Sequence, residues 1–210
     1  MSTWIRAALL ASCLAAMRAE AQNQESPGDL IPVGYGSLNQ DQLSIRLGNT
    51  DLEVRVLPLD ERLLRLVSTD AYASLHALVA DRQAQIDSAA REAGLTNPGL
   101  VLVSFFGRRD DARFDPQNVN LIYRSQFYRP AAIVPITGNF SSRQLALRRQ
   151  ASAIYLYDVR LPIFESFDVS YANLQSSAWS DILPVLERER GRALSRWQAN
   201  RRRDSTTQKP

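Results

Sequence analysis

Short segments of alternating apolar and polar residues, separated by turn residues, constrain the fold of this chain more than any other feature. Residues 43–47 and 52–56 alternate in this way on either side of the turn sequence Gly-Asn-Thr-Asp at 48–51. That pattern predicts a β-hairpin with one buried face. Pro58 should end its second strand, because proline has no backbone N–H to donate. Residues 100–106 are apolar on both faces and predict a central strand.

Strand patterns recur farther along the chain. The other segments that carry them are residues 118–129, 132–136, 144–147, 153–157 and 167–171. Pro135 predicts that the second of these segments lies at a sheet edge or contains a bulge. The sequence therefore predicts about eight short strands.

Two stretches have the apolar spacing of helices instead. Residues 60–93 predict a helical insertion. In it, a short helix is followed by a longer helix that ends at residue 93. Residues 180–198 predict a C-terminal helix, and Trp179 and Trp197 belong to its apolar stripe. Residues 199–210 have almost nothing to bury, so we expect a disordered basic tail.

The order of these elements favours a mainly β fold. We expect one domain over residues 41–198, an immunoglobulin-like two-sheet β-sandwich with the helical insertion after the first hairpin and the C-terminal helix packed at its end. An α+β layer is the alternative. Residues 22–40 are polar and rich in glycine, proline and asparagine, which predicts a flexible lead-in.

Residues 1–21 contain the three parts of a secretory signal peptide. Arg6 supplies a charge, residues 7–17 form a short apolar run, and Ala-Glu-Ala at 19–21 matches an A-x-A cleavage pattern. The run is too short to span a bilayer, which takes about 20 apolar residues. We therefore expect a periplasmic or secreted protein whose mature chain begins near Gln22 and has no transmembrane segment.

Two alternatives to simple cleavage remain open at this N-terminus. Residues 10–13, Leu-Ala-Ser-Cys, also fit the box at which bacterial lipoproteins are cleaved and acylated, so a lipid anchor on Cys13 is one alternative. An uncleaved anchor is the other. Cys13 is the only cysteine of the chain, so cleavage after Ala21 would exclude disulfides, thiolate metal sites and cysteine nucleophiles from the mature protein.

Positive charge is concentrated at the C-terminal end. Residues 187–210 have a net charge of +5, from eight basic and three acidic residues, whereas the mature chain before them has a net charge of −3. This asymmetry predicts weak contact of the C-terminal arginines with an anionic surface such as lipid or polysaccharide, without specific recognition of nucleic acid. A solvated helix end, whose arginines complement the helix dipole, is the alternative.

Side chains suited to catalysis are sparse. His76 is the only histidine, and its place beside the apolar stripe of the insertion indicates a boundary residue rather than a general base or a zinc ligand. Histidine-dependent serine and cysteine triads are therefore disfavoured. Glu165 and Asp168 would point to opposite faces of an alternating strand, which argues against a carboxylate pair for glycosidic chemistry.

The densest acidic group contains Asp110, Asp111 and Asp115. Oxygen ligands at such short spacing suit Ca²⁺. The group lacks the glycine and the terminal glutamate of an EF-hand, however, and neighbouring arginines compensate its charge. A solvated loop with Asx turns is the favoured interpretation.

Residues 34–37, Gly-Tyr-Gly-Ser, superficially match a phosphate-cradling loop. No strand precedes them, no helix follows them, and they contain no lysine, so the sequence disfavours that function. Several aromatic residues also lie on neighbouring predicted strands: Tyr123, Phe127, Tyr128, Tyr155, Tyr157 and Tyr171. We expect most of them in the core, whereas an exposed group would make a platform for carbohydrate or protein.

These observations favour a non-enzymatic binding module or an envelope-associated structural module with an unknown protein or envelope partner. They assign no catalytic, cofactor-binding or metal-binding residue. The alternative is a hydrolase of an envelope polymer, metal-independent or assisted by Ca²⁺, with Asp110, Asp111 and Asp115 nearest its site.

Overall fold

The structure, a computed structural model, describes residues 30–207 and the side chains of residues 30–203. The signal peptide expected at residues 1–21 lies outside the described residues, as do residues 22–29 of the lead-in. From Ile31 onward the described chain forms one compact unit.

The strands and helices follow one another in an order close to the predicted one. The strands are β1 (Ile45–Gly48), β2 (Leu52–Pro58), β3 (Gly99–Gly107), β4 (Ala112–Arg113), β5 (Val119–Tyr123), β6 (Gln126–Tyr128), β7 (Pro130–Pro135), β8 (Gln144–Leu145), β9 (Gln150–Tyr157), β10 (Asp168–Tyr171) and β11 (Leu174–Ser176). The helices are α1 (Glu61–Leu64), α2 (Thr69–Ala80), α3 (Gln83–Glu92) and α4 (Trp179–Thr207). Three short 3-10 helices span Gln40–Leu43, Pro116–Asn118 and Gly138–Ser142.

All strand pairings between these elements are antiparallel. One sheet has the order β1-β2-β3-β9-β7, a second has the order β11-β10-β5-β6, and β4 pairs with β8. The predicted hairpin is β1 and β2, and β2 ends at Pro58 as expected. The predicted central strand is β3, which pairs on both sides, and Pro135 lies in β7 at the edge of its sheet. The β-rich fold of antiparallel sheets with a C-terminal helix is therefore confirmed.

The five-stranded sheet and the four-stranded sheet contact each other through their buried faces. The hydroxyl of Tyr157 in β9 donates to the carbonyl of Val119 in β5 at 3.0 Å. The ring of Phe105 in β3 lies 5.7 Å from that of Tyr171 in β10. Tyr157 and Phe105 are both fully buried, so these contacts lie in the core rather than at its rim.

The helical insertion is broken at a point that the sequence did not indicate. The expected longer helix ends at Ala80, and α3 begins at Gln83, after a residue whose φ and ψ of −109° and 2° are not helical. That residue, Arg82, donates to the carbonyl of Ile136 at 3.4 Å. The predicted single helix is therefore wrong: neither proline nor glycine marks the break, and it is accompanied by a contact with a residue far along the chain.

The C-terminal helix is longer than predicted at both ends. It begins at Trp179 rather than at Ser180 and continues to Thr207 rather than ending at residue 198. The disordered tail expected from residue 199 is therefore wrong as far as Thr207. Arginine has a high helix propensity, and extending an existing helix avoids the cost of nucleation, so this polar segment can continue the helix without an apolar stripe.

The last part of the predicted lead-in also packs against the domain. Ile31 and Leu38 are each 6% exposed. Leu38 forms a parallel bridge with Val67, and the guanidinium of Arg65 donates to the carbonyl of Ile31 at 3.2 Å. The buried side chains of Ile31 and Leu38 thus fix a segment that the sequence composition predicted to be flexible.

Candidate binding surface

Helix α4 docks on the domain along one row of side chains. Trp179, Leu186 and Ala193 are all fully buried. They are seven residues apart, or nearly two helical turns, so they lie on one side of the helix. The indole N–H of Trp179 donates to the carbonyl of Ile163 at 3.2 Å, and its ring lies 4.9 Å from that of Phe167.

Glu189 is a buried carboxylate beside this row, with only 2% exposure. Its Oε1 accepts from the hydroxyl of Ser37 at 2.8 Å and from the guanidinium of Arg196 at 2.8 Å. Arg196 also donates to the carbonyl of Tyr35. Burial raises the pKa of Glu189, but the hydrogen bonds from Arg196 and Ser37 outweigh it, so the pKa is lowered overall. These contacts clamp residues 35–37 to α4.

We expect Glu189→Gln to reduce the free energy of unfolding at neutral pH by about 1.5–3 kcal/mol, the range for hydrogen bonds to charged groups. The lower end applies because Arg196 is 42% exposed and remains solvated without its partner. A lowered pKa means that the ionised carboxylate stabilises the folded state above its ordinary pKa of 4.5. That stability is lost as the pH falls through the lower, folded value. Urea unfolding between neutral and acidic pH measures both effects.

The matched control for this prediction is Glu187→Gln, which removes the same charge from an exposed position on α4. It should leave stability nearly unchanged across the pH range. The gap between wild type and Glu189→Gln should close at acidic pH, where the wild-type carboxylate is protonated too. A gap of constant size would show that Glu189 does not act through its charge.

A neighbouring side of α4, about 120° around the helix axis from the docked row, carries an arginine stripe, which consists of Arg188, Arg192, Arg196 and Arg203. At 3.6 residues per turn these four positions lie within about 80° of one another around the helix axis. Arg188, Arg192 and Arg203 are exposed, whereas Arg196 lies at the border with the clamp. The stripe therefore presents positive charge to the solvent while another side of the helix is docked.

The helix extends past the last residue that packs on the domain. Trp197 is half-buried, and residues 198–203 are all exposed. Because α4 continues to Thr207, about 15 Å of helix follows Trp197 at a rise of about 1.5 Å per residue. Residues 187–203 contain seven arginines and two glutamates. Residues 198–203 of α4 are therefore a positively charged helical segment exposed to solvent.

The three candidate aspartates do not form a common site. Asp110 accepts from the backbone N–H of Leu147 at 3.0 Å, and Asp111 accepts from Gln144 at 2.8 Å. Asp115 caps the 3-10 helix that follows it, accepting from the N–H of Gln117 at 3.1 Å. Within the described part of the chain, no three His, Cys, Asp or Glu side chains are placed to hold a metal ion.

The other predicted candidates also have local contacts. His76 is exposed, and its ring stacks 5.4 Å from that of Tyr72. Glu165 precedes β10 and accepts from the hydroxyl of Tyr123 at 2.6 Å, whereas Asp168 accepts from Gln175 at 2.7 Å. The structure does not bring these residues together.

Residues 34–37 form the clamp rather than a phosphate cradle. Ser37 and the carbonyl of Tyr35 are occupied by Glu189 and Arg196. Gly36 lies so close to the backbone of Leu66 that a Cβ there would come within 2.3 Å of its carbonyl carbon. The glycine is thus required by close packing.

The aromatic residues of the strands are mostly in the core, as expected. Tyr155 and Tyr157 are fully buried, and Tyr171 is 8% exposed. Tyr123 and Tyr128 are half-buried, and Phe127 alone of this group is largely exposed, at 68%. These six residues therefore do not share one exposed aromatic face.

Comparison with known proteins gives no family for this chain. It matches no family model, and no curated protein and no solved structure is significantly similar to it. Among the described helices, none is long and apolar enough to cross a bilayer. The function must therefore be argued from the residues of the chain itself.

Proposed function

We propose that the protein is an exported, non-enzymatic binding module that attaches to an anionic lipid surface of the cell envelope through α4. The observation that carries the proposal is the arginine stripe on an exposed side of a helix that is docked on the domain by another side. The docked part of α4 holds the exposed Arg188 and Arg192 on one side of the helix, so both can meet a flat anionic surface without ordering a flexible tail first.

Export is part of this proposal and rests on the sequence of residues 1–21. An immunoglobulin-like arrangement of the two large sheets is also part of it. The contacts of Tyr157 with Val119 and of Phe105 with Tyr171 across the core support a sandwich. The local hydrogen bonds of Asp110, Asp111 and Asp115 give the hydrolase alternative no support.

Charge reversal of the stripe tests the proposal. We expect Arg188→Glu combined with Arg192→Glu to weaken binding to vesicles of phosphatidylglycerol and phosphatidylcholine by at least about 30-fold, because each arginine near an anionic surface contributes about 1 kcal/mol. Wild-type binding should also fade as salt shortens the Debye length from about 10 Å at 0.1 M to about 3 Å at 1 M. Co-sedimentation of the full chain with vesicles measures both effects.

The matched control combines Arg91→Glu with Arg129→Glu, which changes the net charge equally at exposed positions outside α4. It should reduce binding far less. Truncation after Asn200 removes Arg201, Arg202 and Arg203 and should produce an intermediate loss. Equal, salt-insensitive sedimentation of the wild-type protein and all these variants would contradict the proposal. Binding to duplex DNA or a sulfated polysaccharide without binding to vesicles would contradict the lipid surface as the partner.

A further inference from the structure

One face of the five-stranded sheet points away from the four-stranded sheet. Half of this face is polar, and that half contains a pocket. Strand register puts Arg55, Ser104 and Ser152 in one row across β2, β3 and β9, and puts Phe106 and Gln150 in the next row. Residues two apart on a strand share a face, so both rows point away from the core. A pocket of about 430 Å³ lies here. Its other walls are Asn39, Gln40, Asp41, Ser44, Leu57 and Leu102.

The buried hydroxyl of Ser104 lines this pocket, and the buried hydroxyl of Ser152 lies next to it on the neighbouring strand β9. Ser104 and Ser152 are 7% and 5% exposed. Their Oγ atoms are 2.8 Å apart, and the amide nitrogen of Gln150 donates to both, at 3.2 and 2.8 Å. Each hydroxyl has one hydrogen to donate. The hydrogen bond between the two serines uses one of these two hydrogens. When Ser152 donates to Ser104, the hydroxyl hydrogen of Ser104 is left to donate to a ligand or to water in the pocket.

The charges around the pocket are held in ion pairs, and Asp41 pairs with Arg46 at 3.1 Å. The Nε of Arg55 donates to Glu53 at 2.6 Å, and its guanidinium lies 3.6 Å from a carboxylate oxygen of Asp41. Arg108 also pairs with Glu53 at 2.6 Å. Burial raises the pKa of Glu53, but the hydrogen bonds from Arg55 and Arg108 lower it overall, so the carboxylate stays ionised and holds both cations. An anionic ligand would have to compete with these carboxylates, whereas a neutral polar ligand would not.

The pocket also has an apolar part. The guanidinium of Arg55 lies 4.4 Å over the ring of Phe106, and Leu57 and Leu102 form the lower wall. A sugar ring matches this combination, because its hydroxyl groups both donate and accept while its C–H faces are apolar. The volume is at the lower end of the range of about 300–1,000 Å³ for small-molecule sites, which suits one or two sugar rings rather than a long segment of polymer.

We propose that this pocket binds a neutral saccharide unit. The hydroxyl of Ser104 donates to a sugar oxygen, while Asp41 and the amide side chains of Asn39 and Gln150 bind further hydroxyl groups of the ligand. The proposal is independent of the function proposed for α4, because the pocket lies on the sheet and shares no residue with the arginine stripe.

A titration followed by NMR tests the proposal on the full chain. The probes are cellobiose, maltose and the N-acetylglucosamine disaccharide as neutral sugars, with glucuronic acid as the anionic comparison. We expect at least one neutral sugar to bind with millimolar affinity and to shift the backbone amide signals of Ser104, Ser152 and Gln150. Ser104→Ala should weaken that binding about tenfold, the effect of one lost hydrogen bond.

The matched control is Ser170→Ala, which removes a buried strand hydroxyl from the outward face of the four-stranded sheet. It should leave the affinity unchanged. The map of shifted signals in the wild-type protein decides the location even if Ser104→Ala fails to fold. The proposal is overturned if no neutral sugar shifts these signals, if only glucuronic acid binds, or if the two variants weaken binding equally.

Discussion

Replacing Trp179 with alanine is expected to lower the free energy of unfolding by about 3–5 kcal/mol, the range for a buried tryptophan. The side chain is fully buried at the start of α4, and its ring packs on that of Phe167. Its loss leaves a cavity between α4 and the domain, and the carbonyl of Ile163 loses its donor. Urea unfolding followed by circular dichroism measures the change.

Trp197→Ala is the matched control, because it makes the same truncation on the same helix. The apolar stripe of the sequence predicts that both tryptophans are buried, but Trp197 is only half-buried. Its replacement should therefore cost about 1 kcal/mol, in proportion to the smaller apolar area that it removes from water. A larger loss for Trp197→Ala than for Trp179→Ala would mean that α4 docks along a different row.

The strands were predictable because burial of one face of a sheet produces a pattern of apolar residues among near neighbours in the sequence. Alternation in residues 43–47 and 52–56 gave the hairpin, and continuous apolar character in 100–106 gave the central strand. The position of Pro135 at a sheet edge follows from its missing N–H. In each case the signal is local, since the residues that carry it are neighbours in the chain.

The breaks and ends of helices were less predictable. Nothing in the sequence at Asp81 and Arg82 stops a helix, and the contact that accompanies the break joins Arg82 to Ile136, far along the chain. At the C-terminus, residues 199–207 have no apolar stripe, so the pattern gave no reason to continue the helix. A search for apolar periodicity cannot detect a helical segment whose sequence has no apolar stripe.

The arginine stripe, the clamp and the sheet pocket also differ in how far apart in the sequence their residues lie. The arginine stripe depends on spacing along one helix and can be derived from the sequence once the helix is known to reach residue 203. The clamp joins Ser37 to Glu189, which are 152 residues apart, and only the fold brings them together. A glutamate between the apolar residues Leu186 and Ala193 was the one local sign of it. The sheet pocket needs the order β2-β3-β9, which no local pattern contains.

Gly36→Ala is expected to lower the free energy of unfolding by about 3 kcal/mol, near the upper end for overpacking. The new Cβ would lie 2.3 Å from the carbonyl carbon of Leu66 and 2.6 Å from the carbonyl oxygen of Val67. These are backbone atoms, and the N–H of Leu38 donates to the carbonyl of Leu66 at 3.1 Å. Relief of the clash would therefore break that bond and draw the neighbouring Ser37 away from Glu189. Thermal unfolding measures the loss.

Gly191→Ala provides the comparison, because it makes the same substitution in the middle of α4, where a Cβ would meet nothing within 4 Å. Alanine has a higher helix propensity than glycine, so this variant should gain about 0.8–1 kcal/mol. The two substitutions should thus change stability in opposite directions. If Gly36→Ala were neutral or stabilising, the segment before β1 would not lie against Leu66. The clamp would then not contribute to holding α4, and the arginine stripe would depend on the row of Trp179, Leu186 and Ala193 alone for its orientation.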